Sequence, residues 1–175
     1  SLILASLILI SFVATLPLSL YASESSVHLM LIEWYGNENR GTVTLLIPTS
    51  DNSMSNPRYK LLPYHWYTTA KYWINPSNTY GFGSSVVVET ITSSADTWDK
   101  ETSYVVFAYQ DTTYRSAGVR DGYNVVAWGY YSKSNVIAVT YIWAIGNLIL
   151  ETDTTMNVQF VWSLEGEWGK MDVQN

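Results

Sequence analysis

Few residues of this chain have the types and spacing that catalysis needs. Glu151 and Asp153 alternate in the Thr-rich run Glu151-Thr152-Asp153-Thr154-Thr155. On a strand, positions two apart share a face, which would hold the two carboxylates about 7 Å apart. That distance suits a glycosidase acid and base, or a calcium site completed by backbone carbonyls. The plain alternative is a solvated strand face, which the flanking Thr residues favour. His28 and His65 lie in different segments, with no Cys or carboxylate at ligand spacing. A zinc centre needs three or four ligands in fixed geometry, so both read as ordinary structural histidines. There is no Cys, which removes disulfides and thiolate metal sites. A Gly-rich phosphate loop and a Gly-x-Ser-x-Gly elbow are both missing. The chain therefore offers no catalytic residue and no metal ligand that can be named.

Composition narrows the partners. The net charge is −6, and the nine Lys and Arg residues are scattered. Phosphate recognition needs clustered basic residues, so nucleic acid and an anionic membrane surface are excluded as partners. Eight Trp and fourteen Tyr could stack on sugar rings, but Trp66, Trp73, Trp98, Trp128, Trp143 and Trp162 each sit inside a periodic element, where core packing is the default.

The elements that would position these residues follow from periodicity. Leu2–Ala22 is apolar and uncharged. It reads as a signal peptide broken at Pro17 and cleaved after Ala22, or as a membrane anchor or pilin-like helix. In either case the remainder faces the outside of a membrane, and contact with the membrane is limited to this segment. Val27–Trp34 and Thr42–Ile47 read as a hairpin around a polar turn, followed by a linker at 49–57. Three parts are expected: the leader 1–22, a small β-hairpin appendage with linker at 23–58, and a main domain at 59–175. Within the last, strands are expected at Trp66–Ile74, Tyr104–Tyr109, Asn124–Tyr131, Val136–Trp143 and Leu148–Asn157. Gly146-Asn147 turns the last two into a hairpin. Val87, Val88, Ile91, Ala95 and Trp98 recur at helical spacing and mark a helix over Ser85–Glu101, capped by Ser84 or Ser85. The fold class is α+β, a twisted, mostly β sheet backed by one long helix. Met171-Asp172-Val173-Gln174-Asn175 reads as the first turn of a further helix, so the chain is expected to be an interior piece of a longer product.

Several ordered strings resemble one family. Tyr64-His65-Trp66-Tyr67-Thr68-Thr69-Ala70-Lys71-Tyr72-Trp73-Ile74-Asn75-Pro76 looks like the first strand of prokaryotic matrixin-type (metzincin) secreted zinc metallopeptidases. Ala95-Asp96-Thr97-Trp98 looks like part of their first long helix, and Asp121-Gly122-Tyr123-Asn124-Val125-Val126-Ala127-Trp128 is similar to their Asp-Gly-x-Asn-x-x-x-Trp strand entry. Ile137-Ala138-Val139-Thr140 and Ile149-Leu150-Glu151-Thr152-Asp153-Thr154-Thr155-Met156-Asn157 are similar to their last two strands, and Asp172-Val173-Gln174-Asn175 to the run leading into a His-Glu-x-x-His helix. The resemblance covers residues 59–175 and implies the N-terminal half of a catalytic domain.

On that resemblance the function is that of an N-terminal fragment of a secreted zinc-dependent metalloendopeptidase acting on protein or peptide. Zinc belongs to the full-length protein, held by three His beside a Glu base, none of which this chain contains. Calcium is a further candidate cofactor, and the chain alone is expected to be inactive. Its contribution would be the substrate shelf. Val136–Trp143 is taken as an edge strand pairing with an extended peptide through the main chain of Ala138, Val139, Thr140 and Tyr141. The alternatives are a noncatalytic extracellular binding module, sugar-binding or adhesive, and a pilin-like filament subunit.

Overall fold

Among the described residues, runs of alternating burial make the strands and a stretch of helical period makes one helix. The computed structural model describes residues 27–35, 63–103 and 105–173. Leu2–Ala22, Thr42–Ile47, the linker at 49–57 and the two terminal residues lie outside that set. The elements are β1 (His28–Tyr35), β2 (Ala70–Asn75), α1 (Ser84–Lys100), β3 (Phe107–Thr112), β4 (Asn124–Gly129), β5 (Val136–Ile145), β6 (Leu148–Asn157), β7 (Trp162–Ser163) and β8 (Met171–Asp172).

The first six strands form one sheet in the order β1-β5-β6-β4-β2-β3, and β7 and β8 form a small parallel pair. Neighbours from β6 to β3 are parallel, whereas β5 is antiparallel to both β6 and β1. α1 lies in the connection between the parallel strands β2 and β3, as a crossover requires. The fold is mixed α/β, a large sheet with one helix against it.

Residues directly opposite in adjacent strands share a face, so the register sorts the side chains. Tyr72, Ile74, Asn124, Val126, Thr154, Met156, Thr140 and Ile32 fall on one face. There Val87 and Ile91 of α1 close the core over Tyr72, Ile74 and Met156, with Trp162 joining from β7. Trp73, Val125, Ala127, Thr155, Val139, Tyr141, Asp153, Trp143, Glu151 and Glu33 fall on the other. The loop between β3 and β4 is hydrogen-bonded to that second face.

Five expectations change. His28–Tyr35 pairs with β5 as a strand of the main sheet, while its expected hairpin partner Thr42–Ile47 lies outside the described residues. β2 begins at Ala70 and β3 at Phe107, later than the expected Trp66 and Tyr104; the aromatic Trp66 and Tyr67 precede β2 without joining it. The helix is capped at Gly83 without a side-chain bond, so neither Ser84 nor Ser85 is the cap. Trp98, at the end of the helical stripe, is 69% exposed and not part of the core. Met171–Asp172 is a short strand on Trp162–Ser163 and not a helical turn.

Candidate functional site

Three buried polar side chains organise the second face and the rim of the sheet. Asp153 is 1% exposed and Glu151 is 4% exposed, so the solvated-face expectation fails for both. Asp153 Oδ2 accepts the N–H groups of Gly118 (2.7 Å) and Val119 (3.2 Å), and Oδ1 accepts that of Val125 (2.7 Å). Glu151 accepts the N–H groups of Asp121 (2.9 Å) and Gly122 (2.7 Å), one on each oxygen. The pair stitches the β3–β4 loop to the sheet. Gly118 sits in the left-handed region at φ 89, and a Cβ there would come within 3.0 Å of the Tyr141 ring, so this loop position requires glycine. All four carboxylate oxygens are engaged by amide hydrogens of the β3–β4 loop and β4, no third carboxylate or His joins them among the described residues, and the burial keeps a sugar out. Neither the glycosidase nor the calcium role fits Glu151 and Asp153.

Burial pushes the Asp153 carboxyl up from 3.8 to about 6; the backbone donors of Val125, Gly118 and Val119 pull the other way, and the Glu151 charge adds to the rise.

Asn157 at the end of β6 is fully buried. Its Nδ2 donates to Val136 O at 2.7 Å and, at longer range, to Tyr131 O and Lys133 O. Its Oδ1 accepts from the amides of Tyr131 and Gln159. One side chain thus fixes the whole 131–136 connection into β5. That connection in turn presents Tyr131 and Lys133 to Glu33 of β1. Lys133 Nζ lies 2.7 and 2.8 Å from the two Glu33 oxygens, and the Tyr131 hydroxyl donates to Oε1. Glu33 is 4% exposed, and its side chain rises from the strand position opposite Val139.

Ala138, Val139, Thr140 and Tyr141 are consecutive on β5 as expected, but β5 is not an edge in this structure. β1 pairs along its outer side, with Trp34 opposite Ala138, Glu33 opposite Val139, Ile32 opposite Thr140 and Leu31 opposite Tyr141, while β6 pairs along the inner side. The main-chain groups singled out for peptide pairing are therefore engaged by an antiparallel segment of the same chain.

Beside β5 on the helix face lies a trough of about 630 Å³, walled by Ile91 and Trp98 of α1 and floored by Tyr72, Thr140, Thr154 and Met156. Val173 also lines it, so the chain reaches its last described residue at the trough. Among the apolar strand residues, Val126 and Ile137 line this trough, Trp128 packs against Tyr80 and Phe82, and Val139 is fully buried.

His65 pairs through its backbone with the β5–β6 turn, donating to Asn147 O and accepting from Ile149 N–H, and its ring meets Tyr67 edge-on. His28 lies opposite Ala144, with β5 and β6 between it and His65. The two do not converge. Among the described residues no group of three or more His, Asp or Glu is arranged to hold a metal ion, so the described residues do not make a zinc centre. Among those same residues, no helix is long and apolar enough to cross a membrane.

Of the residues that build this region, Glu33, Lys133 and Asn157 escaped sequence reasoning. One signal was available. Glu33 interrupts the apolar run Leu29-Met30-Leu31-Ile32, and a lone acid in a buried strand needs a partner. No family model matches the chain, and no curated protein or solved structure matches it.

Proposed function

We propose that residues 59–175 are the N-terminal part of the catalytic domain of a secreted zinc-dependent metalloendopeptidase, and that they supply its peptide-binding sheet. The observation that carries this is the antiparallel strand lying along Ala138–Tyr141, the segment that the family resemblance marks for substrate pairing. A β5 that accepts an antiparallel main chain over eight positions has the geometry that recognition by strand addition uses. The element order supports the same reading: strand, helix, then four strands, with the helix between two parallel neighbours. The finer assignment, a metzincin-like half-domain, rests on this order and on the motif strings.

The trough gives the proposal a second support. It is largely apolar, it adjoins β5, and Val173 enters its wall. An amphipathic helix that follows Asn175 would reach it without a linker. In that arrangement the zinc ligands belong to the following helix, and this chain's own residues bind and align the peptide.

The reading frame tests the proposal. Within roughly ten residues after Asn175 it should encode His-Glu-x-x-His, because two His at i and i+4 share the helix face that a common zinc ion needs. A stop codon directly after Asn175, found in the transcript, would contradict it and favour a noncatalytic binding module.

A further inference from the structure

Beside the trough stands the most exposed large apolar side chain among the described residues. Trp168 is 100% exposed, and its ring has no partner among those residues. The loop that carries it is pinned from inside. Ser163 is fully buried, and its hydroxyl accepts the N–H groups of Glu165 and Glu167 at 3.1 Å each. Lys170 closes the loop on Glu167, with its N–H on the main-chain oxygen and its ammonium 2.6 Å from Oε2. β7 and β8 tie the two ends together. An anchor presented on a pinned loop gives up little freedom when a partner buries it.

Three residues after Trp168 the chain enters the trough wall, at Met171, Asp172 and Val173. Three residues span at most about 11 Å, so the knob and the hole lie side by side. The trough holds about 630 Å³, room for an indole, and its walls include Ile91, Ala95 and the exposed ring of Trp98.

We propose that this face is a self-association site, in which two copies of the chain pair about a twofold axis and each places its Trp168 in the other's trough against Trp98. The side-by-side placement is what permits closure. A patch that holds both knob and hole is self-complementary, so two copies satisfy each other and no open chain grows. The walls are apolar and aromatic, and two indoles gain from offset or edge contact. Two indoles and the walls they meet bury roughly 800 Å², less than a permanent dimer needs, so the pairing is weak and reversible. Each copy has a net charge of −6, so repulsion opposes pairing and salt should strengthen it. The proposal goes beyond the peptidase reading and does not rest on it. A helix following Asn175 would take the trough in cis, and pairing then belongs to the 175-residue chain.

Fluorine NMR of the full 175-residue chain labelled with 5-fluorotryptophan tests this. Trp168→Ala and Trp98→Phe identify the two signals by deleting them. Raising the chain from about 10 to about 500 µM should move both signals together. In the Trp168→Ala chain the Trp98 signal should hold still over the same range. That ring touches nothing in the folded chain, so its removal leaves the fold intact. Ala95→Phe narrows the trough and should raise the concentration needed by roughly tenfold or more. Salt raised from about 20 to about 300 mM should lower it. Sedimentation should show a two-copy species that Trp168→Ala removes. A Trp168 signal that does not move with concentration overturns the proposal, whether the trough stays open or another segment fills it. A Trp98 signal that moves equally in the Trp168→Ala chain overturns it too, as does weakening by salt. Assemblies larger than two copies would refute the closed pair.

Discussion

Replacing Asp153 by Ala should destabilise the protein by roughly 4 kcal/mol, lowering its melting temperature by about 10 °C. Three amide donors, those of Gly118, Val119 and Val125, converge on this one carboxylate, and removing it strands the buried Val125 donor and leaves the part-buried Gly118 and Val119 donors without their acceptor. Each buried donor left without an acceptor costs about 1–3 kcal/mol, and the lost side-chain volume adds to that. The cost depends on pH, with a sign that can be worked out. Burial raises the Asp153 carboxyl to about 6 in the folded chain, above its ordinary 3.8, so the fold holds the proton more tightly than the unfolded chain does. The stabilisation this brings is fully present below about pH 4 and is lost as pH rises through about 6. Asp153→Ala should therefore cost more at about pH 4 than at pH 7. Urea unfolding of both proteins across that range measures it. A cost that is flat with pH would mean that the carboxyl titrates alike in both states.

Asn157→Asp should be as damaging by a different route. The substitution exchanges one amide nitrogen for oxygen. In the native arrangement that nitrogen donates to three carbonyls, those of Val136, Tyr131 and Lys133. A carboxylate there would set a buried negative charge against three carbonyl oxygens, a loss of roughly 3–5 kcal/mol at neutral pH. The defect should soften as pH falls, because a buried carboxyl surrounded by acceptors takes up a proton and regains a donor. The damage also has a place. With the 131–136 connection released, Lys133 and Tyr131 lose their fixed positions, and the β1 amides should exchange faster than those of β6. Uniform loss of protection across the whole sheet would show that Asn157 is merely a core residue.

These two residues show where sequence reading succeeds and stops. The period of 3.6 at Val87, Ile91 and Ala95 gave α1 to within a residue at each end, because a long amphipathic stripe has few alternatives. The Gly146-Asn147 hairpin was equally legible, since a tight turn leaves strands no choice but to pair. Partners remote in sequence were not legible. The pairing of β1 with β5 joins Ile32 to Thr140 across more than a hundred residues, and nothing local in Val27–Trp34 distinguishes that from a hairpin with the next strand. The β5 segment was expected to be an edge, but β1 and β6 pair along both its sides; its run Val136–Tyr141 carries no Lys or Pro, as suits a strand that another segment covers. Glu151 and Asp153 were noticed for their alternation, and the correct face was inferred for neither. The flanking Thr152, Thr154 and Thr155 suggested solvent, whereas the amide groups that bury Glu151 come from a loop about thirty residues upstream. Asn157 looked like the last residue of a strand, and its role exists only once the β4–β5 connection is in place.

The metalloendopeptidase proposal is tested most directly by a peptidase assay on the product of the full reading frame, with the 175-residue chain beside it. The longer product should cleave internal bonds of an unstructured substrate such as casein, should lose that activity to a chelator, and should regain it with zinc. The 175-residue chain should retain no stoichiometric zinc through dialysis and should cleave nothing above background, since His28 lies on β1 and His65 bridges to Leu148 at the start of β6, with β5 and β6 between them. A longer product that folds yet neither holds zinc nor cleaves casein would contradict the account.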